Sequence, residues 1–177
     1  MADVLGVRGF DPVTVGRQGD VDWTLDPYHH PTWTLWLHGL RWLGSLIDSD
    51  DPAQLARAVT ITQDWLADND PRSLSEAALA GTAQRAQVLV CLSHRVGLAP
   101  WLVDALDEQA GILRAHFSGG WNHGMDESAA LFAVGCLLGR PAYVDLADTR
   151  LAGMAPRIVD AQGATNEQAT GYEVYVY

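Results

Sequence analysis

Residues 33–47 read WTLWLHGLRWLGSLI, and this stretch decides the class of the fold. Its apolar side chains recur at helical spacing on one face, formed by Trp33, Trp36, Leu40, Leu43 and Ile47. A second apolar face is formed by Leu35, Trp42 and Leu46. The pattern predicts a single helix over 33–47 that is buried on two sides, which is typical of an inner layer of helices.

Helical patterns continue along most of the chain. Asp51 is a typical N-cap before Pro52, and Pro100 is a second proline at a predicted helix start. The remaining helices are predicted over 52–69, 73–96, 100–118, 125–138 and 141–157. The helix at 125–138 is apolar almost all round, so it is also predicted to be an inner helix.

Strand signals are scarce, since alternation is found only in EVYVY at 173–177. Five or six successive helices predict an all-α domain of antiparallel helical hairpins. Two layers, as in a helical toroid or solenoid, fit the alternation of very apolar and amphipathic helices, and a single-layer bundle stays open. Residues 1–31, rich in Gly, Pro and Asp, are predicted to form an extended N-terminal segment before the helical domain at 32–177.

Composition excludes several classes of protein. The 177 residues are 48% hydrophobic and 19% charged, which is typical of one globular domain. Acidic residues (22) outnumber basic ones (11), every basic residue is Arg, and the net charge of −11 argues against nucleic-acid binding. The chain shows neither a signal-peptide pattern nor an apolar run long enough for a membrane helix. Cys91 and Cys136 lie in apolar runs and are predicted to be small buried hydrophobes.

The segment Gly-Gly-Trp-Asn-His-Gly at 119–124 is the first candidate site. It places Asn122 and His123 at a predicted helix N-terminus, where free N–H groups and the helix dipole favour an anion such as a carboxylate. The alternative is structural: Asn122 caps the helix and His123 packs against the core.

Two further groups of residues could take part in chemistry. Tyr172, Tyr175 and Tyr177 follow a polar loop, where they either pack or supply a phenol for acid-base catalysis. Tyr28, His29, His30 and His38 lack metal-ligand spacing, so no metal is predicted, and imidazoles such as His30 are expected to hydrogen-bond backbone or ligand. The carboxylate pairs that could serve glycoside hydrolysis are Asp126 with Glu127 and Asp160 with Glu167.

Three segments in a fixed order resemble the heparinase II/III-like polysaccharide lyases, which include alginate and heparan sulfate lyases. They are WTLWLHGLRWL at 33–43, GWNHG at 120–124, and DAQG at 160–163 with the Glu-Gln-x₃-Tyr element that follows it. The resemblance covers about residues 23–177. The Asn-His pair and the Glu-Gln-x₃-Tyr element, about fifty residues apart, are its most specific parts.

The resemblance implies cleavage of a uronate-containing polymer by β-elimination. Asn122 would hold the uronate carboxylate, His123 would assist as neutraliser or base, and Tyr172 would be the acid and for some substrates also the base. Tyr175 is the alternative catalytic tyrosine. The residues predicted to contact substrate or to orient its loop are Trp121, Glu167, Gln168, Tyr175 and His30. Trp121 departs from the family pattern, in which many members have a second Asn.

The resemblance also implies an (α/α) toroid, followed in family members by a β-sandwich-like domain across a substrate cleft. This chain would then be an incomplete toroid that ends before the remaining helices and the β domain, and an incomplete enzyme by itself. No cofactor is implied, and the expected partner is an acidic polysaccharide, not a nucleic acid or a membrane. Family members are usually secreted or periplasmic. The alternatives are a non-catalytic glycan-binding helical domain and a glycoside hydrolase on a related toroid.

Overall fold

The computed structural model describes residues 2–7, 9–70, 73–119 and 122–158, and most of these residues are helical. The all-α class predicted from the sequence is therefore confirmed. In chain order the elements are β1 (Ala2–Leu5), β2 (Val13–Arg17), β3 (Asp20–Val21), α1 (Pro31–Gly39), a 3₁₀ turn (Arg41–Leu43), α2 (Gly44–Ile47), α3 (Pro52–Asp68), α4 (Glu76–Ala80), α5 (Thr82–Val96), α6 (Pro100–Ala115), α7 (Asn122–Leu138) and α8 (Pro141–Ile158).

The N-terminal segment contains a small antiparallel sheet in the order β1-β2-β3, which the sequence analysis did not predict. β2 and β3 are joined by Gln18 and Gly19, both with positive φ, as a two-residue hairpin turn requires. The sheet is attached to α3 by Asp64, whose Oδ2 accepts hydrogen bonds from the Val21 N–H (3.1 Å) and the Trp23 indole (2.9 Å). These strands have only two to five residues each, and such short segments give little alternation by which a sequence pattern could reveal a sheet.

The helix predicted over 33–47 is broken into α1, the 3₁₀ turn and α2. The break is at Leu40, whose φ of 60° is left-handed. Such a conformation costs a non-glycine residue about 1–2 kcal/mol. The Leu40 side chain is buried. Its burial stabilises the folded state by about 1.5–3 kcal/mol, which offsets that cost.

The other helix predictions are largely confirmed. Asp51 caps α3 by accepting a hydrogen bond from the Ala53 N–H, and Pro100 opens α6. The helix predicted over 73–96 is divided at Gly81 into α4 and α5. α6 ends at Ala115 and not at the predicted residue 118, so Phe117 is beyond the helix and exposed.

Two hydrophobic clusters hold these elements together. The first joins the sheet with α1, α2 and α3 around the fully buried Trp33 and Trp65. The second joins α5, α6, α7 and α8 around Leu89, Leu106 and Leu131. Short connections between α5, α6, α7 and α8 make these helices a series of antiparallel hairpins, as predicted.

The helix α7 is not buried on all sides as predicted. Its Ala129, Phe132 and Cys136 are exposed along one face, while Leu131 and Val134 are buried. Cys136 and, on α5, Cys91 are free and exposed, so the prediction that both are buried hydrophobes is wrong. Apolar neighbours in the sequence did not reveal which helix face each cysteine occupies.

A buried arginine connects four helices. Arg85 on α5 is 1% exposed. Its Nε donates to Gln109 Oε1 (3.0 Å), its Nη1 to the carbonyls of His38 (2.9 Å) and Ala78 (3.0 Å), and its Nη2 to Thr82 Oγ1 (2.9 Å). The acceptors come from α1, α4, α5 and α6. Burial lowers the pKa of Arg85 to about 9, against the opposing charge of Glu108.

Trp65, which lies next to Arg85, fixes the tautomer of the His38 imidazole. The Arg85 guanidinium lies over the Trp65 ring at 4.3 Å from its centroid. The Trp65 indole N–H donates to His38 Nδ1 (3.2 Å), so the proton of the neutral imidazole is on Nε2. Burial lowers the pKa of His38 to about 4, and the charge of Arg85 adds to this effect. His38 is therefore a neutral core residue at pH 7.

We expect this histidine to make stability depend on pH. The unfolded state binds a proton on His38 below pH 6.5 and the folded state only below about pH 4. The free energy of unfolding therefore falls by about 2 kcal/mol between pH 7 and pH 5 through His38 alone. In urea unfolding experiments, the free energy of unfolding of His38→Gln should not show this fall between pH 7 and pH 5. That of His94→Gln, at an exposed position, should still show it. A ring-proton NMR titration that placed the pKa of His38 near 6.5 would contradict the assignment.

Candidate functional site

The ends of three helices meet where the candidate site lies. The last turn of α1 contacts the start of α5: an added Cβ on Gly81 would lie 3.1 Å from the Gly39 N, and Arg85 binds the carbonyl of His38. The start of α5 in turn lies beside the start of α7, because Thr82 and Glu127 line the same cavity. The C-terminus of α1 and the N-terminus of α7 are thus at one end of the helical layers.

The loop before α7 is held by Glu127 and by close packing at Gly124. The Glu127 carboxylate accepts hydrogen bonds from the Ser118 N–H (2.8 Å) and hydroxyl (2.6 Å). A Cβ on Gly124 would overlap the carbonyl of Gly119, so the loop can cross the first turn of α7 only because residue 124 has no side chain. The Ser128 hydroxyl donates to the Gly124 carbonyl (2.7 Å).

Asn122 is the first residue of α7 and is half-buried. Its Oδ1 accepts a hydrogen bond from the His123 N–H (2.9 Å). Because a backbone N–H requires an acceptor, this bond fixes the amide oxygen toward the helix. The Nδ2 group then points away as a donor, and it has no hydrogen-bond partner among the described residues. A donor at a positive helix terminus is suited to a carboxylate.

His123 is exposed beside Asn122, which excludes the alternative in which its ring packs in the core. Asp126, one helical turn further along α7, is half-buried. Burial raises the pKa of Asp126, while the positive charges of Arg41 and then of His123 act in the opposite direction. Arg41, from the 3₁₀ turn after α1, is therefore close enough to Asp126 on α7 to act on it electrostatically.

A cavity of about 520 Å³ lies on the other side of this loop. Its polar lining includes Glu76, His116, Ser118 and Glu127. Two carboxylates make it a poor place for a polyanion, because like charges repel at short range. The side of α7 that faces Arg41 is the better one for an acidic ligand.

Of the other predicted site residues, only His30 lies in the part of the chain that the structure describes. Trp121, Glu167, Gln168, Tyr172 and Tyr175 lie outside the described residues. His30 is the N-cap of α1, where its Nδ1 accepts a hydrogen bond from the Thr32 N–H (3.1 Å). It is thus at the end of α1 opposite to Gly39, about 13 Å away along a nine-residue helix. Its contact with substrate stays a prediction.

The carboxylate pair Asp126 and Glu127 does not have the geometry of a hydrolase pair. Adjacent helical residues point in directions about 100° apart and do not face each other. Both oxygens of Glu127 are also engaged by Ser118. The pair suggested by Asp160 and Glu167 lies outside the described residues.

Sequence reasoning missed two members of the site, Arg41 and Ser118. Arg41 is separated from Asp126 by nearly half of the chain, and no local pattern indicates that they interact. Ser118 precedes a Gly-Gly pair, and that position could have indicated a hydrogen-bonded turn at the helix start.

Within the described residues, no group of three or more His, Cys, Asp and Glu side chains could hold a metal ion. None of the described helices has the length and apolar character that a membrane crossing needs.

No family model matches this sequence, and no curated protein matches it. Among solved structures, the fold is similar to that in the crystal structure of heparan sulfate lyase HepC from Pedobacter heparinus, with a TM-score of 0.74 and 20% sequence identity. The match covers 96% of this chain and 30% of that lyase, so this chain spans less than a third of the length of the protein it matches. At this identity the likeness establishes the fold, and it supports the resemblance to heparinase II/III-like lyases.

The contact between Gly124 and Gly119 gives a testable consequence. Gly124→Ala should lower the free energy of unfolding by about 1–3 kcal/mol, because the methyl group forces the loop away from α7. The matched control is Gly111→Ala on α6, where an added Cβ meets nothing within 4 Å. The free energy of unfolding of that variant should rise by about 0.5–1 kcal/mol. Urea unfolding in which both variants gained stability would show that the loop does not cross α7 as described.

Proposed function

We propose that this chain is part of a polysaccharide lyase that cleaves a uronate-containing polymer by β-elimination. The observation that carries the proposal is the Nδ2 group of Asn122 at the N-terminus of α7, which has no hydrogen-bond partner among the described residues. It is supported by the sequence motifs and by a fold similar to that of a heparan sulfate lyase. The uronate carboxylate would accept a hydrogen bond from this amide.

The chemistry explains why such a donor is needed. The C5 proton of a uronate is a poor acid while the adjacent carboxylate keeps its full charge. Hydrogen bonds from a preorganised neutral amide, at a helix terminus with a positive partial charge, stabilise the extra charge that develops when the proton is removed. The C5–H bond and the C4–O bond are then broken, and a C4–C5 double bond is formed.

Proton transfer falls to the other proposed residues. His123 is exposed beside Asn122, where a ring nitrogen can assist in neutralising the carboxylate or act as the base. Tyr172 would donate a proton to the departing O4 oxygen and, for some substrates, also accept the proton from C5. A phenol can fill both roles because its phenolate is a strong enough base.

The reaction type can be tested directly. The complete enzyme that contains this chain should convert a uronate polymer such as alginate or heparan sulfate into products with the near-ultraviolet absorbance of an unsaturated uronate. New reducing ends without this absorbance would indicate a glycoside hydrolase instead. Binding of the polymer without either product would indicate a glycan-binding domain.

Replacing Asn122 tests its role in stabilising charge. Asn122→Ala should raise the activation free energy of elimination by about 2.7–4 kcal/mol, as loss of an oxyanion donor does. Asn122→Asp should be at least as slow, because it places a negative charge next to the carboxylate. The defect should shrink on a substrate whose carboxyl groups are esterified. An equal loss of rate on the esterified and the free-acid substrate would mean that Asn122 is only a structural cap.

Replacing Tyr172 tests the proton donor. Tyr172→Phe removes the hydroxyl used in the transition state, so kcat should fall by about 10²-fold or more while KM stays nearly constant. Tyr175→Phe is the matched control. Wild-type turnover in Tyr172→Phe with a loss in Tyr175→Phe would assign the role to Tyr175.

A further inference from the structure

Arg41 differs from most arginines of the described chain because it has no hydrogen bond, ion pair or ring contact there. The partnered guanidinium groups bind carboxylates, backbone carbonyls or aromatic rings, and they belong to Arg57, Arg85, Arg95, Arg114, Arg140 and Arg150. Arg17 on β2 and Arg157 near the end of α8 are also without such contacts among the described residues. Of these three, Arg41 follows the end of α1, which is fixed against the start of α5 at the end of the helical layers where α7 begins.

The backbone explains why Arg41 is at this place. The left-handed Leu40 ends α1 and turns the chain, so Arg41 begins a 3₁₀ turn and its side chain is exposed. The preceding residues are fixed on α5, where Arg85 binds the carbonyl of His38. The position of Arg41 at this end of the helical layers therefore follows from buried contacts and not from a surface loop.

The charged groups around Arg41 leave its donors available. Asp126 is near enough to interact electrostatically, but no hydrogen bond between Asp126 and Arg41 is found in the described structure. His123 is the other titratable side chain at this corner that can carry a positive charge. In a chain with a net charge of −11, an exposed guanidinium and an amide donor lie at the same end of the helical layers.

We propose that Arg41 binds an acidic group, carboxylate or sulfate, on the sugar next to the one whose carboxylate is held by Asn122. The proposal rests on the proposed function and assigns a substrate-binding residue to the same site. A guanidinium suits this task because its planar donors bind either oxyanion through two parallel hydrogen bonds. Arg41 would thus set the minimum length and the charge pattern of the substrates that are bound.

The test uses isothermal titration calorimetry with two probes, an unsulfated hexuronate tetrasaccharide and a sulfated one. Arg41→Gln should weaken binding about tenfold or more and make binding less dependent on salt. Arg41→Lys should recover part of the affinity, and Arg17→Gln, which changes an exposed side chain on β2, should bind as the wild type does. If Arg41→Gln loses the same affinity for both probes, the group that Arg41 contacts is a carboxylate. If it loses affinity only for the sulfated probe, the group is a sulfate.

Three results separate the possible failures. Unchanged affinity in Arg41→Gln, together with weaker binding in Asn122→Ala, would overturn the role of Arg41 and leave the proposed function standing. A wild-type protein that binds neither probe would overturn both proposals. The thermal unfolding midpoint of Arg41→Gln should equal that of the wild type, because the side chain is exposed and without partners in the described structure. A large drop in that midpoint would mean that Arg41 has a structural role, and would contradict the proposal.

Discussion

Burial of the Arg85 guanidinium with neutral partners is the constraint on which the rest of this structure depends. Removing such an ion from water costs several kcal/mol, and the cost is offset only if its donors find acceptors in good geometry. The acceptors are a side-chain amide, two carbonyls and a hydroxyl from four different helices, with the Trp65 ring stacked above. A shift of any of these helices would leave a buried charge unsatisfied, so their mutual positions are fixed.

This constraint extends to the candidate site through very few residues. The carbonyl bound by Arg85 is that of His38, three residues before Arg41. The start of α5, which carries Arg85, also lies beside the first turn of α7, where Glu127 and Gly124 hold the loop that leads to Asn122. A buried guanidinium with neutral acceptors thus helps to place a cation and an amide donor at one exposed end of an acidic protein.

Features set by neighbouring residues were predictable from the sequence, and features set by distant contacts were not. The capped starts of α3 and α6 follow from local patterns at Asp51 and Pro100. The break at Leu40 depends on packing against α5, a contact that no local pattern contains. The sheet was missed because its strands are short. In the site, the Asn122-His123 pair was recognisable as a motif, whereas Arg41 becomes part of the site only through the fold.

The most direct test of this account is a crystal structure of the protein with a bound uronate tetrasaccharide. The account predicts one sugar carboxylate within hydrogen-bonding distance of Asn122 Nδ2 and a second acidic group on the guanidinium of Arg41, with the Arg85 contacts unchanged. An oligosaccharide bound instead in the cavity lined by Glu76 and Glu127, with Asn122 and Arg41 free of contacts, would contradict it.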